Sequence, residues 1–139
     1  MIRSEALIGK FEQALAEGWG YIYGTAGEPW TQAKQDTATR TQTIAWGQKW
    51  VGKKVADCSG LFAWAFKQLG GSIYHGSNTI WNKYTVKESR MAIGEKIPEA
   101  GMAVFKTKGS DRYHIGLYIG NDQVIEAKGT YYGVVKSPL

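Results

Sequence analysis

A chain of 139 residues, 43% apolar and 21% charged, can fill one core, is too short for two, and lacks the polar bias of a disordered segment. Seventeen basic against twelve acidic residues leave a charge of +5, which favours anionic surfaces; the largest basic cluster, Lys53-Lys54, is too small for a nucleic-acid-binding stripe. No apolar run approaches the roughly 20 residues of a membrane span, and the start, Met1 to Glu5, lacks the apolar stretch of a signal peptide.

In chain order, Leu7, Ile8, Phe11, Ala14 and Leu15 fall on one face of a helix over residues 4–17, with Ser4 as its N-cap and Gly18 as its stop. Residues 18–30 are rich in glycine and aromatics and read as loop. The Thr/Gln/Ala stretch 31–43 has no clear period and reads as loop or exposed helix. Leu61, Phe62, Ala65, Phe66 and Leu69 follow Cys58 at helical spacing, and Gly70-Gly71 closes the run, which predicts a central buried helix. Ser77 to Tyr84 suits a further short helix. From Gly101 the pattern changes to short β-prone runs at 102–105, 115–119, 124–127 and 132–136, an antiparallel meander. Helices first and strands afterwards give an α+β class in a single domain over residues 1–139, read as a monomer.

One cysteine and two histidines exclude an intrachain disulfide and a Cys/His zinc site. Cys58 is therefore either an inert core residue or a reactive thiol. It stands at the start of the predicted helix, where free backbone N–H groups and the positive dipole end favour a thiolate. The neighbouring carboxylate of Asp57 would oppose that charge, so its expected task is to cap the helix.

His114 and Glu126 lie on two strand-like runs around a turn, and register decides whether they meet. A turn centred on Gly120 sets His114 directly opposite Glu126 on one face. A two-residue turn at Asn121-Asp122 sends Glu126 to the other face. A carboxylate beside a histidine fixes its tautomer and stabilises its imidazolium, completing a Cys/His/acid arrangement. Taken singly, His114 suits a surface strand and Glu126 a solvated charge. His75, in a Gly/Ser/Tyr loop, suits a solvated or substrate-lining role. The tryptophans at 30, 46, 50, 64 and 81 are too scattered to separate groove from core.

Four segments together resemble the NlpC/P60 peptidases of bacterial cell walls, which are papain-like. Asp57-Cys58-Ser59-Gly60-Leu61 resembles the nucleophile motif, and Pro98 to Phe105 is similar to the strand after a Pro/Gly turn. His114 to Asn121 resembles the histidine strand, and Tyr21-Ile22-Tyr23-Gly24 the upstream segment whose tyrosine lies near the nucleophile. The resemblance, over Trp19 to Ala127, implies a papain-like fold with Cys58 as nucleophile, His114 as base and Tyr21 at the oxyanion. The family's third position is usually a second histidine, and Glu126 stands there instead. The stretch before Trp46 looks like an insertion.

The implied substrate is a peptidoglycan stem peptide, cut between γ-D-glutamate and a diamino acid without metal or cofactor. An N-acetylmuramoyl-L-alanine amidase or acyltransferase on the same scaffold is one rival, and an inactive wall-binding or phage structural module another. The implied place of action is the cell wall, reached by phage delivery, as a tail-associated module, or as part of a longer secreted protein.

Overall fold

Apolar residues three and four apart give α1 (Ser4–Ala16) a buried face of Leu7, Phe11 and Ala14. The computed structural model describes residues 2–85, 90, 92 and 98–139. Ser4 is the first residue inside the helix and not its cap; Arg3 holds the cap position and makes no side-chain cap bond. Gly18, at φ 67°, ends the run as expected.

The stretch read as loop contains β1 (Ala26–Pro29), which pairs antiparallel with β2 (Lys54–Ala56) in a two-stranded sheet. Strands of four and three residues containing Gly, Pro and Lys carry no alternation, so the sequence gives no strand signal there. Residues 31–43 take the exposed-helix alternative. They contribute α2 (Gln32–Asp36), which buries nothing, and the first half of α3 (Thr41–Trp46), which buries only Thr43. Without an apolar face neither helix has a period to read.

β2 runs directly into α4 (Cys58–Gln68), the central helix, which buries Leu61, Phe62, Trp64 and Ala65. Gly70 takes φ 82° and the Gly71 N–H donates to the Phe66 carbonyl at 2.8 Å, closing the last turn. Residues 77–84 form the expected short helix, α5 (Ser77–Thr79) continued by a wider turn over Ile80–Tyr84.

The C-terminal strands are β3 (Ala103–Lys108), β4 (Asp111–Gly120), β5 (Gln123–Gly129) and β6 (Gly133–Pro138), a four-stranded meander in sequence order. Ile115, Leu117, Ile125 and Ala127 are wholly buried in one core with Leu61, Phe62 and Ala65 of α4 and Phe11 of α1. Phe11 meets Phe62 edge-on at 4.8 Å between ring centres. Each large apolar side chain so buried contributes about 1.5–3 kcal/mol.

The β4–β5 hairpin follows neither of the two registers in full. Asn121 and Asp122, at φ 53° and 58°, form a two-residue turn flanked by the pair Gly120 and Gln123. Continued unbroken, that pairing would set Glu126 opposite Leu117, on the face away from His114. A bulge between Tyr118 and Gly120 shifts the ladder, so Tyr118 faces Val124 and Leu117 faces Ile125. Glu126 therefore lies beside Gly116, on the His114 face but displaced diagonally, not directly opposite the histidine.

Candidate active site

Cys58 begins α4, partly buried. Asp57 caps the helix as expected: its Oδ1 accepts the Gly60 N–H at 2.8 Å, and its Oδ2 accepts the Gly24 N–H at 2.7 Å. One buried carboxylate thus ties the Tyr21–Gly24 segment to the helix start. The contact is flush. A β-carbon at position 60 would fall 1.9 Å from the Thr25 carbonyl oxygen, so only glycine lets the first turn of α4 sit against that backbone.

On the sheet, His114 Nε2 lies 2.7 Å from Glu126 Oε1, and the two side chains are only 13% and 7% exposed. The diagonal reach passes over Gly116, where a β-carbon would come within 2.6 Å of Val124 Cγ1 and 3.3 Å of Glu126 Cβ. Burial works against a charged His114, but hydrogen bonds to Cys58 and Glu126 and the charges of both outweigh it, raising the imidazole from 6.5 to about 9. The His114 bond holds Glu126 below its ordinary 4.5 against the effect of burial, with help from Ser137 and Lys106. With Nε2 engaged by Glu126, Nδ1 is the ring nitrogen left for the thiol.

Cys58 opens onto a cleft of about 450 Å³ lined by Tyr21, Tyr23, Asp57, Ser59, His75, Ser77 and Tyr113. His114 and Glu126 line a separate depression on the outer sheet face with Lys106, Lys128 and Ser137. Burial first, then the charges of Cys58 and Asp57, push the Tyr21 hydroxyl well above its ordinary 10, with Arg40 acting the other way. Tyr21 is thereby kept as a hydroxyl donor.

Cys58 and Tyr21 thus share the cleft at the start of α4, and His114, bonded to Glu126, lies near enough to Cys58 for the thiol to favour its charged form. The structure also adds a pair that sequence reasoning missed: His75 Nε2 lies 2.6 Å from Asp57 Oδ1. His75 lines the cleft with 31% of its side chain exposed. Nothing in its polar loop could have signalled a partner eighteen residues earlier. The tryptophans also divide: Trp19, Trp30 and Trp64 are core at 2%, 9% and 8% exposure, whereas Trp46 is 44% exposed.

A thiol at a helix terminus, an imidazole whose charge that thiol favours and a carboxylate bonded to the imidazole are parts that a thiol acyl-transfer site requires. The family model described as the NlpC/P60 family matches residues 41–139, more than half of the chain. The chain belongs to the NlpC/P60 family. The matched residues contain Cys58, His114 and Glu126, and leave the Tyr21 segment outside. A curated relative, a probable endopeptidase p60 of Listeria grayi, is 35% identical over 83 residues, 60% of this chain but only 15% of that protein.

Solved structures agree on the fold over nearly the whole chain. The peptidoglycan hydrolase RipB of Mycobacterium tuberculosis has a TM-score of 0.62 at 23% identity, covering 98% of this chain and 58% of that one. The P60 domain of an antigen of M. avium subspecies paratuberculosis has a TM-score of 0.63 at 21% identity, covering 98% and 85%. NlpC1 of Trichomonas vaginalis has a TM-score of 0.61 at 22% identity, covering 97% and 38%. At these identities the likeness fixes the papain-like α+β fold of this NlpC/P60 chain and nothing finer.

Proposed function

We propose that this domain is a cysteine endopeptidase that hydrolyses peptidoglycan stem peptides at the bond between γ-D-glutamate and a diamino acid. The observation that carries the reading is the buried Glu126–His114 contact at 2.7 Å, with the same imidazole near enough to the thiol at the start of α4 for Cys58 to favour its charged form. His114 takes the Cys58 proton and the sulfur attacks the scissile carbonyl carbon. The oxyanion is received by the Cys58 backbone N–H and the Tyr21 hydroxyl. His114 returns its proton to the departing amine, leaving a thioester.

Water then enters. The neutral imidazole removes its proton as it attacks the thioester, and the sulfur leaves as the thiol. Glu126 keeps Nε2 protonated and stabilises the imidazolium at each transfer. The place of action is the bacterial wall, in keeping with the peptidoglycan hydrolases among the chain's structural relatives.

Mass spectra of fragments released from two purified peptidoglycans, one with diaminopimelate and one with lysine in the stem, test the assignment. The expected products end in γ-glutamate on one side and begin with the free diamino acid on the other. Products separated at muramoyl-alanine would assign the same site to an amidase instead, and release of no fragment by a folded protein would reject hydrolysis.

A further inference from the structure

The insertion-like segment before Trp46 is unexplained by the reaction, yet it builds the wall of a second depression next to the cleft. Tyr23 belongs to both: it lines the cleft with Cys58, and it lines a depression of about 320 Å³ with Lys34, Thr37, Thr39, Arg40 and Thr43. The Arg40 guanidinium carbon lies 3.8 Å from the centre of the Tyr23 ring. Stacking of this kind holds the guanidinium plane against the aromatic face and leaves its edge donors directed outward.

Neither cation is neutralised. Among the described residues the ion pairs are His75–Asp57 and His114–Glu126, and Lys34 donates only to the Pro29 carbonyl at 3.3 Å. Two cations and three threonines around one depression, with no carboxylate among the residues that line it, form a receptor for an anion of carboxylate size. The field of Arg40 also reaches Tyr21 inside the cleft, so an anion held there lies close to the reacting end of the substrate.

A γ-linkage supplies such an anion. The glutamyl residue is joined through its side-chain carbonyl, so its α-carboxyl group is left over, either free or amidated. Resting on the endopeptidase reading above, we propose that the Lys34–Arg40 depression is a specificity subsite for the free α-carboxylate of the γ-linked residue. Arg40, steadied by Tyr23, grips that carboxylate through two parallel N–H bonds. An α-carboxamide turns one acceptor into a donor that faces the guanidinium, and loses the charge.

Two synthetic stem peptides, alike except for an α-carboxylate or an α-carboxamide on the γ-linked residue, provide the test. Hydrolysis by the full chain gives kcat/KM for each, and calorimetry with the Cys58→Ala protein gives their affinities without turnover. A preference of about tenfold or more for the free acid is expected, as for loss of a hydrogen bond to a charged group. Arg40→Gln should reduce it to below about threefold, mainly through KM, at an unchanged melting temperature, and Arg40→Lys should recover only part.

Equal use of both peptides by the unaltered protein, or a preference that survives Arg40→Gln, overturns the subsite. If no peptide is cut but the Cys58→Ala protein still prefers the acid in an Arg40-dependent way, the endopeptidase reading fails and the subsite stands.

Discussion

Replacing Glu126 separates the two things a carboxylate can do for His114, orient its ring and stabilise its charge. The contact is a 2.7 Å hydrogen bond between side chains 13% and 7% exposed, where a charge-assisted bond is weakly screened. Glu126→Gln keeps an oxygen that accepts the Nε2 proton but removes the charge, a loss of about 1–2 kcal/mol or roughly 5- to 30-fold in kcat/KM. Glu126→Ala removes both and should cost about 2–4 kcal/mol, roughly 30- to 1,000-fold.

The pH profile supplies a readout that misfolding would not imitate. His114 is raised to about 9 by Cys58 and Glu126 against burial, so the alkaline limb of kcat/KM is expected near that pH in the unaltered protein. Loss of the Glu126 charge leaves the imidazolium less favoured, and the limb moves to lower pH in both variants. A stopped assay on a stem peptide from pH 5 to 10, with melting temperatures measured alongside, reads rate and limb together. An Ala variant at full activity, or one with its alkaline limb unmoved, refutes the role given to Glu126.

The same pair predicts a stability window. His114, raised above its unfolded 6.5, contributes fully below that pH and loses its contribution as pH rises through about 9; Glu126, held below 4.5, contributes above that pH and loses its share as pH falls through its folded value. The melting-temperature gap between the unaltered protein and Glu126→Gln should therefore be widest between about pH 4.5 and 6.5. A gap flat from pH 4 to 10 would contradict this. Cys58→Ser should abolish hydrolysis at nearly unchanged stability, and a folded Ser variant that still lyses walls would remove Cys58 from the mechanism. Gly116→Ala adds a methyl group 2.6 Å from Val124 and 3.3 Å from Glu126, so denaturant unfolding should show a loss of about 1–3 kcal/mol together with reduced activity. Asp57→Asn should lose about 1–3 kcal/mol, because both carboxylate oxygens accept backbone N–H groups and an amide can accept at only one end; unchanged unfolding would show that the tie to Gly24 is dispensable.

Several features were legible in the sequence because their causes are local. The apolar spacing after Cys58 and the glycines at 70 and 71 define α4, and Asp57 caps it as its chemistry suggests. The strand order follows from short runs separated by turns. What stayed hidden depends on residues distant in sequence. Neither β1 nor β2 carries a pattern of its own, and the His75–Asp57 contact and the meeting of Arg40 with Tyr23 exist only once loops are folded against α4.

The Glu126 position marks the boundary most clearly. Asn121 and Asp122 specify a two-residue turn, and that turn alone would send Glu126 to the wrong face. The sheet core decides otherwise. Ile115 and Leu117 on β4 must share a face with Ile125 and Ala127 on β5 to be buried together, and the turn register would put the two sets on opposite sides. Burying such side chains is worth about 1.5–3 kcal/mol each, against roughly 0.5–1.5 kcal/mol for a ladder hydrogen bond disturbed by a bulge. The packing of α4 on the sheet therefore selects the bulge between Tyr118 and Gly120, and the bulge carries Glu126 to His114.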